Sequence, residues 1–376
     1  MRALVLEAEW APRGGLNKDA PGGRLISGNG SLAWRNPRLH LTEVAPPTPG
    51  PGEVLIRVAL CGVCGTAVHC REVDPRGFVR FSGPMALPVV MGHEFSGEVV
   101  ALGEGVRSLK VGEPIAAESI LWCGVCEPCR RGSPNQCAEV ELLGLTRDGA
   151  FAEYITLPER LCWSLRPLLD AGIERRRALG LGALLEPLGC AYNGLFIEGG
   201  GILPGAHVAV HGAGPIGLGA LMLARAAGAA RVWVVEPEGK RRELAMSLGA
   251  DAAFSPGAGV GGSAEWLLGL TKGRGVDVQV EAAGAQGPIL PECQRALAPG
   301  GKVIYLGRGP GEGVLDLNGL VSGAHRVIGA RGHAGGGIFP HLLRLMAADK
   351  LPLWSMVEAT RPFAGVIEAI DWVRNE

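Results

Sequence analysis

Four cysteines fall within fifteen positions of WCGVCEPCRRGSPNQC: Cys123, Cys126, Cys129 and Cys137. Thiols so spaced can form a disulfide staple, a redox centre or a metal cage. The two short gaps let sulfurs converge from one tight turn, the longer gap returns the fourth, and Gly124, Pro128, Gly132 and Pro134 supply the bends. With 10 cysteines in 376 residues, this set of offsets arises by chance with a probability of roughly 10⁻⁴. Four thiolates without histidine make a closed tetrahedral shell that suits structural zinc. An iron–sulfur cluster uses the same donors, and four separately buried thiols are the bland alternative. A closed zinc site pins a lobe and does no chemistry, so a reaction needs other residues.

Two segments upstream offer them: CGVCGTAVH from Cys61 to His69, and MGHEFSGE from Met91 to Glu98. Cysteine, histidine and carboxylate together can hold a catalytic zinc with one position open. Taken singly they are weak, since a lone His–Glu pair is usually surface or core and Cys61–Cys64 also reads as a redox pair.

A third candidate is Gly-x-Gly-x-x-Gly at Gly212, Gly214 and Gly217. With 60 glycines in the chain, chance supplies roughly 1.5 such matches, and a decoy stands at Gly257, Gly259 and Gly262. Context separates them. The first follows the strand HVAVHG and opens an apolar helix. A second strand, RVWVVE, ends in Glu236, 19 residues after Gly217, the spacing of a ribose-binding acid in a dinucleotide fold. Glycines there permit the turn, the approach of pyrophosphate and the packing of helix on strand, and the helix N-terminus receives the charge. Glu236 favours NAD over NADP because it repels a 2′-phosphate. The run Lys240, Arg241 and Arg242 pulls the other way, unless it is only a solvated helix face.

The elements that must position these groups follow from pattern. Residues 1–185 are β-rich, with VLIRVALCG and FSGEVVALG as apolar, β-branched runs bounded by Gly and Pro. APPTPGPG, from Ala45 to Gly52, is a rigid loop, and residues 9–31 lack periodicity and are expected to form a long surface loop. From about residue 205 strands alternate with helices: HVAVHG, a helix from Pro215 to Ala227, RVWVVE, a helix from Glu238 to Leu248, DAAF, a helix from Ala264 to Thr271, VDVQVEAAG, a helix near Leu290 to Leu297, GKVIYLG and HRVIGARG. Six strands so separated imply a doubly wound parallel sheet. The expected division is 1–185, 186–333 for the cofactor domain, and 334–376, containing the helix FPHLLRLMAA, packing back on the first domain.

A formal net charge of −1 gives no electrostatic footprint for nucleic acid. No run of about 18 uncharged apolar residues crosses a membrane, and Glu7 and Glu9 interrupt any leader-like stretch. The expected location is the cytoplasm, where thiols stay reduced.

Taken together, the metal motifs and the dinucleotide fingerprint resemble the zinc-dependent medium-chain dehydrogenases over nearly the whole chain. The polyol branch is the nearer one, because GALLEPLG places Glu186 where the alcohol branch has a cysteine-type ligand. WAPRGG, SLAWRNPRLHLTEV, DGAFAEY, EPLGCAYNGL and ARGHAGGGIFPHLLRLM are similar to the scyllo-inosose (cyclitol) dehydrogenases. The resemblance implies a GroES-like catalytic domain beside a Rossmann cofactor domain, and a homo-oligomer, dimer or tetramer. It implies two zinc ions. Cys64, His93, Glu94 and Glu186 would hold the catalytic one, with one carboxylate acting through water, and the four clustered cysteines the structural one. Gly212, Gly214, Ile216, Gly217, Glu236 and Arg241 would bind NAD. Zinc would act as a Lewis acid on a substrate hydroxyl while hydride passes to the nicotinamide. The proton would leave through Thr66 and the cofactor ribose to His69. Cys61, Cys70, Cys162, Cys190 and Cys293 have no matched role and are expected to pack.

The expected substrate is a cyclitol of inositol or inosose type. An aminocyclitol, or an acyclic polyol such as sorbitol or butanediol, would use the same chemistry. A catalytically silent zinc-binding protein, a thiol redox sensor or a zinc-module nucleic-acid binder would not. Two departures from the family pattern stand out. After Cys64-Gly65-Thr66 the family usually carries aspartate, where this chain has Ala67, so the catalytic zinc is expected to be labile. The chain also ends after FAGVIEAIDWVRNE, where relatives usually add a strand, so either a short tail follows or an edge is left open.

Overall fold

The protein is described here by a computed structural model covering residues 1–13, 29–257, 262–309, 312–333 and 335–375. Two compact units divide it. One comprises Met1–Glu186, Phe339–Ala347 and Val357–Glu376; the other comprises Pro187–Ile338 and Ala348–Met356.

The first unit is built on strands β1 (Arg2–Trp10), β2 (Trp34–Glu43), β3 (Glu53–Cys61), β4 (Val89–Val90), β5 (Phe95–Leu102), β6 (Pro114–Ala117), β7 (Ile120–Leu121), β8 (Glu141–Leu142), β9 (Tyr154–Pro158) and β10 (Cys162–Ser164). β1 lies between β2 and β4 in a three-stranded sheet. A five-stranded sheet runs β10-β6-β5-β3-β9, and β7 pairs with β8. Alternation in β3 turns Val54 and Ile56 inward onto Phe95, Val99, Ile115 and Leu157, closing one apolar core. Leu4, Leu6, Met85, Met91 and Phe151 close a second, which the helix Val366–Asn375 caps with Val366 and Ile370.

The second unit is a six-stranded parallel sheet in the order β13-β12-β11-β14-β15-β16. Its strands are β11 (His207–His211), β12 (Arg231–Val235), β13 (Ala252–Phe254), β14 (Val276–Glu281), β15 (Leu297–Tyr305) and β16 (Arg326–Gly329). Val208, Ala209 and Val210, and Val232 to Val235, are buried on both faces, as parallel strands between helical layers must be. Strand order reverses between β11 and β14, the switch point at which such sheets take a ligand.

Several local expectations need correction. Residues expected in a surface loop over 9–31 include Glu9 and Trp10, which end β1, and residues of the short helix Asn29–Ala33. Trp10 stacks edge-on against Trp34 at 5.0 Å, a tertiary contact that overrides the weak local pattern. Residues 14–28 lie outside the described residues, as does Gly259 of the decoy glycine motif. The helix expected near 290–297 runs instead from Gln286 to Arg295, with Pro291 inside it, and Leu297 already opens β15. Of the C-terminal segment, Ala348–Met356 groups with the parallel sheet rather than with the first unit. Among the described residues no helix is long and apolar enough to cross a membrane.

Candidate active site and metal centres

The register of two strands assembles the first site. β3 and β5 are antiparallel with Cys61 opposite Phe95. Residues just after β3 and just before β5 therefore meet at one end of the sheet, tied by Gly62 N donating to Glu94 O at 2.6 Å. Cys64 caps the helix Gly65–His69 in extended conformation, its sulfur accepting from Thr66 N. One donor atom each from Cys64, His93 and Glu94 then lie within 4.8 Å of one another. The Thr66 hydroxyl is 3.4 Å from Cys64 Sγ.

Glu186 stands beside this trio without being one of its mutually close donors. Its Oε1 accepts from Ser119 Oγ at 2.7 Å. Ser119 carries no spacing signal in the sequence, and only the fold reveals it. Burial, and then the charges of Cys64 and Glu186, push the Glu94 carboxyl well above the usual range. Burial raises the Cys64 thiol too. Two carboxylates and a thiol held out of water, with one imidazole among them, form a donor set that a divalent cation neutralises.

His69 ends the same short helix, half exposed, with Nδ1 3.1 Å from Glu72 Oε2. Of the other thiols, Cys61 lies close to these donors: burial, and then the charge of Glu94, push it well up. Cys61 contacts its own neighbour, its Sγ 3.7 Å from Gly62 O. Cys70, Cys162 and Cys293 are buried, and burial pushes their thiols up, as suits inert packing.

The four-cysteine stretch lies between β7 and β8. All ten cysteines are unbridged, so no disulfide staple exists. The four sulfurs lie within 4.8 Å of one another; Cys137 is 3.6 Å from Cys123 and 3.8 Å from Cys126. A tetrahedron with zinc–sulfur bonds of about 2.3 Å has edges of about 3.8 Å. The spacing fits one metal ion rather than a cluster of several irons. Backbone N–H groups of Cys126, Cys123 and Glu139 point at the sulfurs at 3.3–3.4 Å. Such donors favour thiolate, and those of Ala138 and Cys129 bring Cys126 down to about 6.

In the second unit the glycine loop joins β11 to the helix Pro215–Ala226, which Gly214 caps and Pro215 opens. Gly212 has φ +94°, and a Cβ on Gly217 would run into the Gly212 carbonyl oxygen. A Cβ on Gly214 would meet nothing within 4 Å, leaving room for a ligand's phosphates at the helix N-terminus. Ile216, in the first turn, is half-buried. Glu236 is buried at the end of β12. Its oxygens accept from Ala213 N at 2.7 Å and Glu238 N at 2.9 Å, which fixes the carboxylate beside the loop. Arg242 turns back onto the carbonyls of Glu236 and Pro237 at 2.7 and 2.5 Å, which removes it from the basic run available to a phosphate. Arg241 is half-buried beside it.

Comparison with known proteins adds an independent line. Residues 50–167 match the alcohol dehydrogenase GroES-like domain, and residues 215–348 match the zinc-binding dehydrogenase domain. A scyllo-inosose 3-dehydrogenase from Thermotoga maritima is 38% identical over 364 residues, covering 93% of this chain and 90% of that protein. An L-threonine 3-dehydrogenase from Pyrococcus horikoshii is 37% identical over 282 residues, covering 75% and 76%. The solved structure of a putative alcohol dehydrogenase from Thermotoga maritima superposes with a TM-score of 0.92 at 35% identity, covering 100% of this chain and 97% of that one.

Proposed function

Because the chain belongs to the zinc-binding, GroES-like alcohol dehydrogenases, enzymes acting on CH–OH groups, we propose that it oxidises a secondary hydroxyl of an inositol- or inosose-type cyclitol with NAD. The observation that carries the chemistry is the convergence of Cys64, His93 and Glu94. The substrate class rests on coverage. The relative named for scyllo-inosose matches 93% of the chain, while the one named for L-threonine, of similar identity, matches 75%. L-threonine is the second reading, on the strength of that match.

When bound, zinc at Cys64, His93 and Glu94 would supply Lewis-acid polarisation of the substrate oxygen, and the nicotinamide would accept hydride. Glu186, steadied by Ser119, borders the metal donors and would be the carboxylate that acts through water. Thr66, beside Cys64, would take the hydroxyl proton, and half-exposed His69 would release it to solvent. The four clustered cysteines would hold a second zinc, which would shape their lobe. Metal analysis with a screen for NAD reduction tests this. We expect zinc at both clusters and NADH from a cyclitol. A protein holding zinc only at the four cysteines and reducing no NAD would be a silent scaffold.

Gly212, Gly214, Ile216 and Gly217 would form the cradle for the dinucleotide, with Arg241 near its adenosine ribose and Glu236 bonding the ribose hydroxyls. Glu236→Ala should narrow the NAD over NADP preference in kcat/KM by about 10–100-fold, since a charged hydrogen bond and a repulsion of 2′-phosphate vanish together. Equal use of both cofactors by the unmutated enzyme would contradict the assignment and point to Lys240 and Arg241 as readers of a phosphate.

A further inference from the structure

Glu72 lies three residues beyond His69 and has no part in the chemistry described so far. Its Oε2 is 3.1 Å from His69 Nδ1. A carboxylate there accepts from Nδ1–H, which leaves the lone pair on Nε2. Nε2 faces back along the helix, 4.0 Å from where a Cβ on Gly65 would stand and hence toward the turn that carries Thr66. The other Glu72 oxygen is 3.8 Å from Arg374 Nε, on the helix Val366–Asn375. That helix is held against the same segment by Arg71 and Asp371 at 2.7 Å. Among the described residues, the charged groups around the His69–Glu72 pair are Arg71 on the one element, and Asp371 and Arg374 on the other.

We infer that Glu72 is a positioning residue for proton release. It fixes His69 in the tautomer that can accept at Nε2 and supplies the counter-charge for the imidazolium. Arg374, bound to the same carboxylate, moderates that charge. The inference rests on the dehydrogenase reading above and on His69 as proton acceptor. In that reaction the nicotinamide would accept hydride from the alcohol carbon, and the hydroxyl proton would pass to His69 Nε2 and then to solvent, so that the products balance as ketone, NADH and a proton. A base on this path must be deprotonated for oxidation, so kcat/KM has an acid limb.

The test is the pH dependence of kcat/KM for scyllo-inosose at saturating NAD, on the full-length zinc-loaded enzyme and three variants with equal zinc content and equal circular dichroism. Glu72→Gln keeps a hydrogen-bond acceptor and removes the charge. It should move the acid limb to lower pH by up to about one unit and lower kcat about threefold to tenfold, modestly because the pair is partly solvated. Arg374→Met frees the carboxylate and should move the limb the opposite way. His69→Gln should remove the limb and cost about 10²-fold in kcat. If His69→Gln behaves so while the other two leave the limb in place or move it in one direction, Glu72 is merely structural and the inference fails, with the His69 assignment intact. Full kcat in His69→Gln overturns the assignment and the inference together.

Discussion

Replacing His93 with alanine should cut turnover of scyllo-inosose by at least about 10³-fold, equivalent to about 4 kcal/mol of barrier, while the four cysteines keep their zinc. His93 is the one nitrogen donor in a trio otherwise made of thiol and carboxylate. Its loss leaves an anionic, buried pair that cannot close a coordination shell, and Glu186 is already engaged with Ser119. A Lewis acid contributes several kcal/mol to such a reaction, so the loss should appear in kcat. The cysteine lobe shares no donor with this trio, so its metal should stay. Turnover within tenfold of the unmutated enzyme would remove zinc from the chemistry. Loss of both metals would show that the two sites fold as one.

The second large effect concerns Ala67. It is 3% exposed and packs in the apolar cluster with Val68, Cys70 and Met91. In the family pattern this position holds an aspartate that orients the histidine ligand. Among the described residues the His93 ring makes no hydrogen bond, so nothing replaces that partner. Missing partners of this kind cost about 10–100-fold in metal affinity. Dialysis against a mild chelator should therefore strip the zinc at Cys64, His93 and Glu94 first and leave that of the four cysteines. Ala67→Asp should tighten the labile site about 10–100-fold, read by zinc competition rather than by activity. The variant also buries a carboxylate. If that group bonds His93 the Tm should hold, and if it stays unpaired the Tm should fall. Zinc leaving both sites together, or no tightening in the variant, would contradict the argument.

The parallel sheet was legible because buried β-branched runs such as VAV and VWVV alternate with helices over short loops, a pattern with few competing solutions. Both cysteine and glycine motifs were legible because they are local: each set of ligands or phosphate-facing groups lies on one short continuous stretch of chain. The first site was legible only as parts. Cys64 and His93 are 29 positions apart, and what unites them is the register Cys61 to Phe95, which no local pattern encodes. Ser119 and Glu72 escaped for a related reason. Each acts through side-chain contacts that no local motif encodes, and a lone serine or glutamate carries no spacing signal. The helix expected near residues 290–297 begins earlier, at Gln286, and runs through Pro291, although a proline usually opens or ends a helix. At Glu236 the residue type suggested a ribose contact, and the fold added what the sequence could not: both oxygens are already anchored by backbone donors beside the glycine loop.

The most direct test of the account is kcat/KM for scyllo-inosose against L-threonine and sorbitol, each with saturating NAD and followed by NADH absorbance on enzyme with both metal sites filled. The account predicts that scyllo-inosose is turned over at least about tenfold more efficiently than either, a difference of about 1.4 kcal/mol in transition-state binding. A higher value for L-threonine or sorbitol would contradict the cyclitol assignment and leave a zinc dehydrogenase of a different substrate.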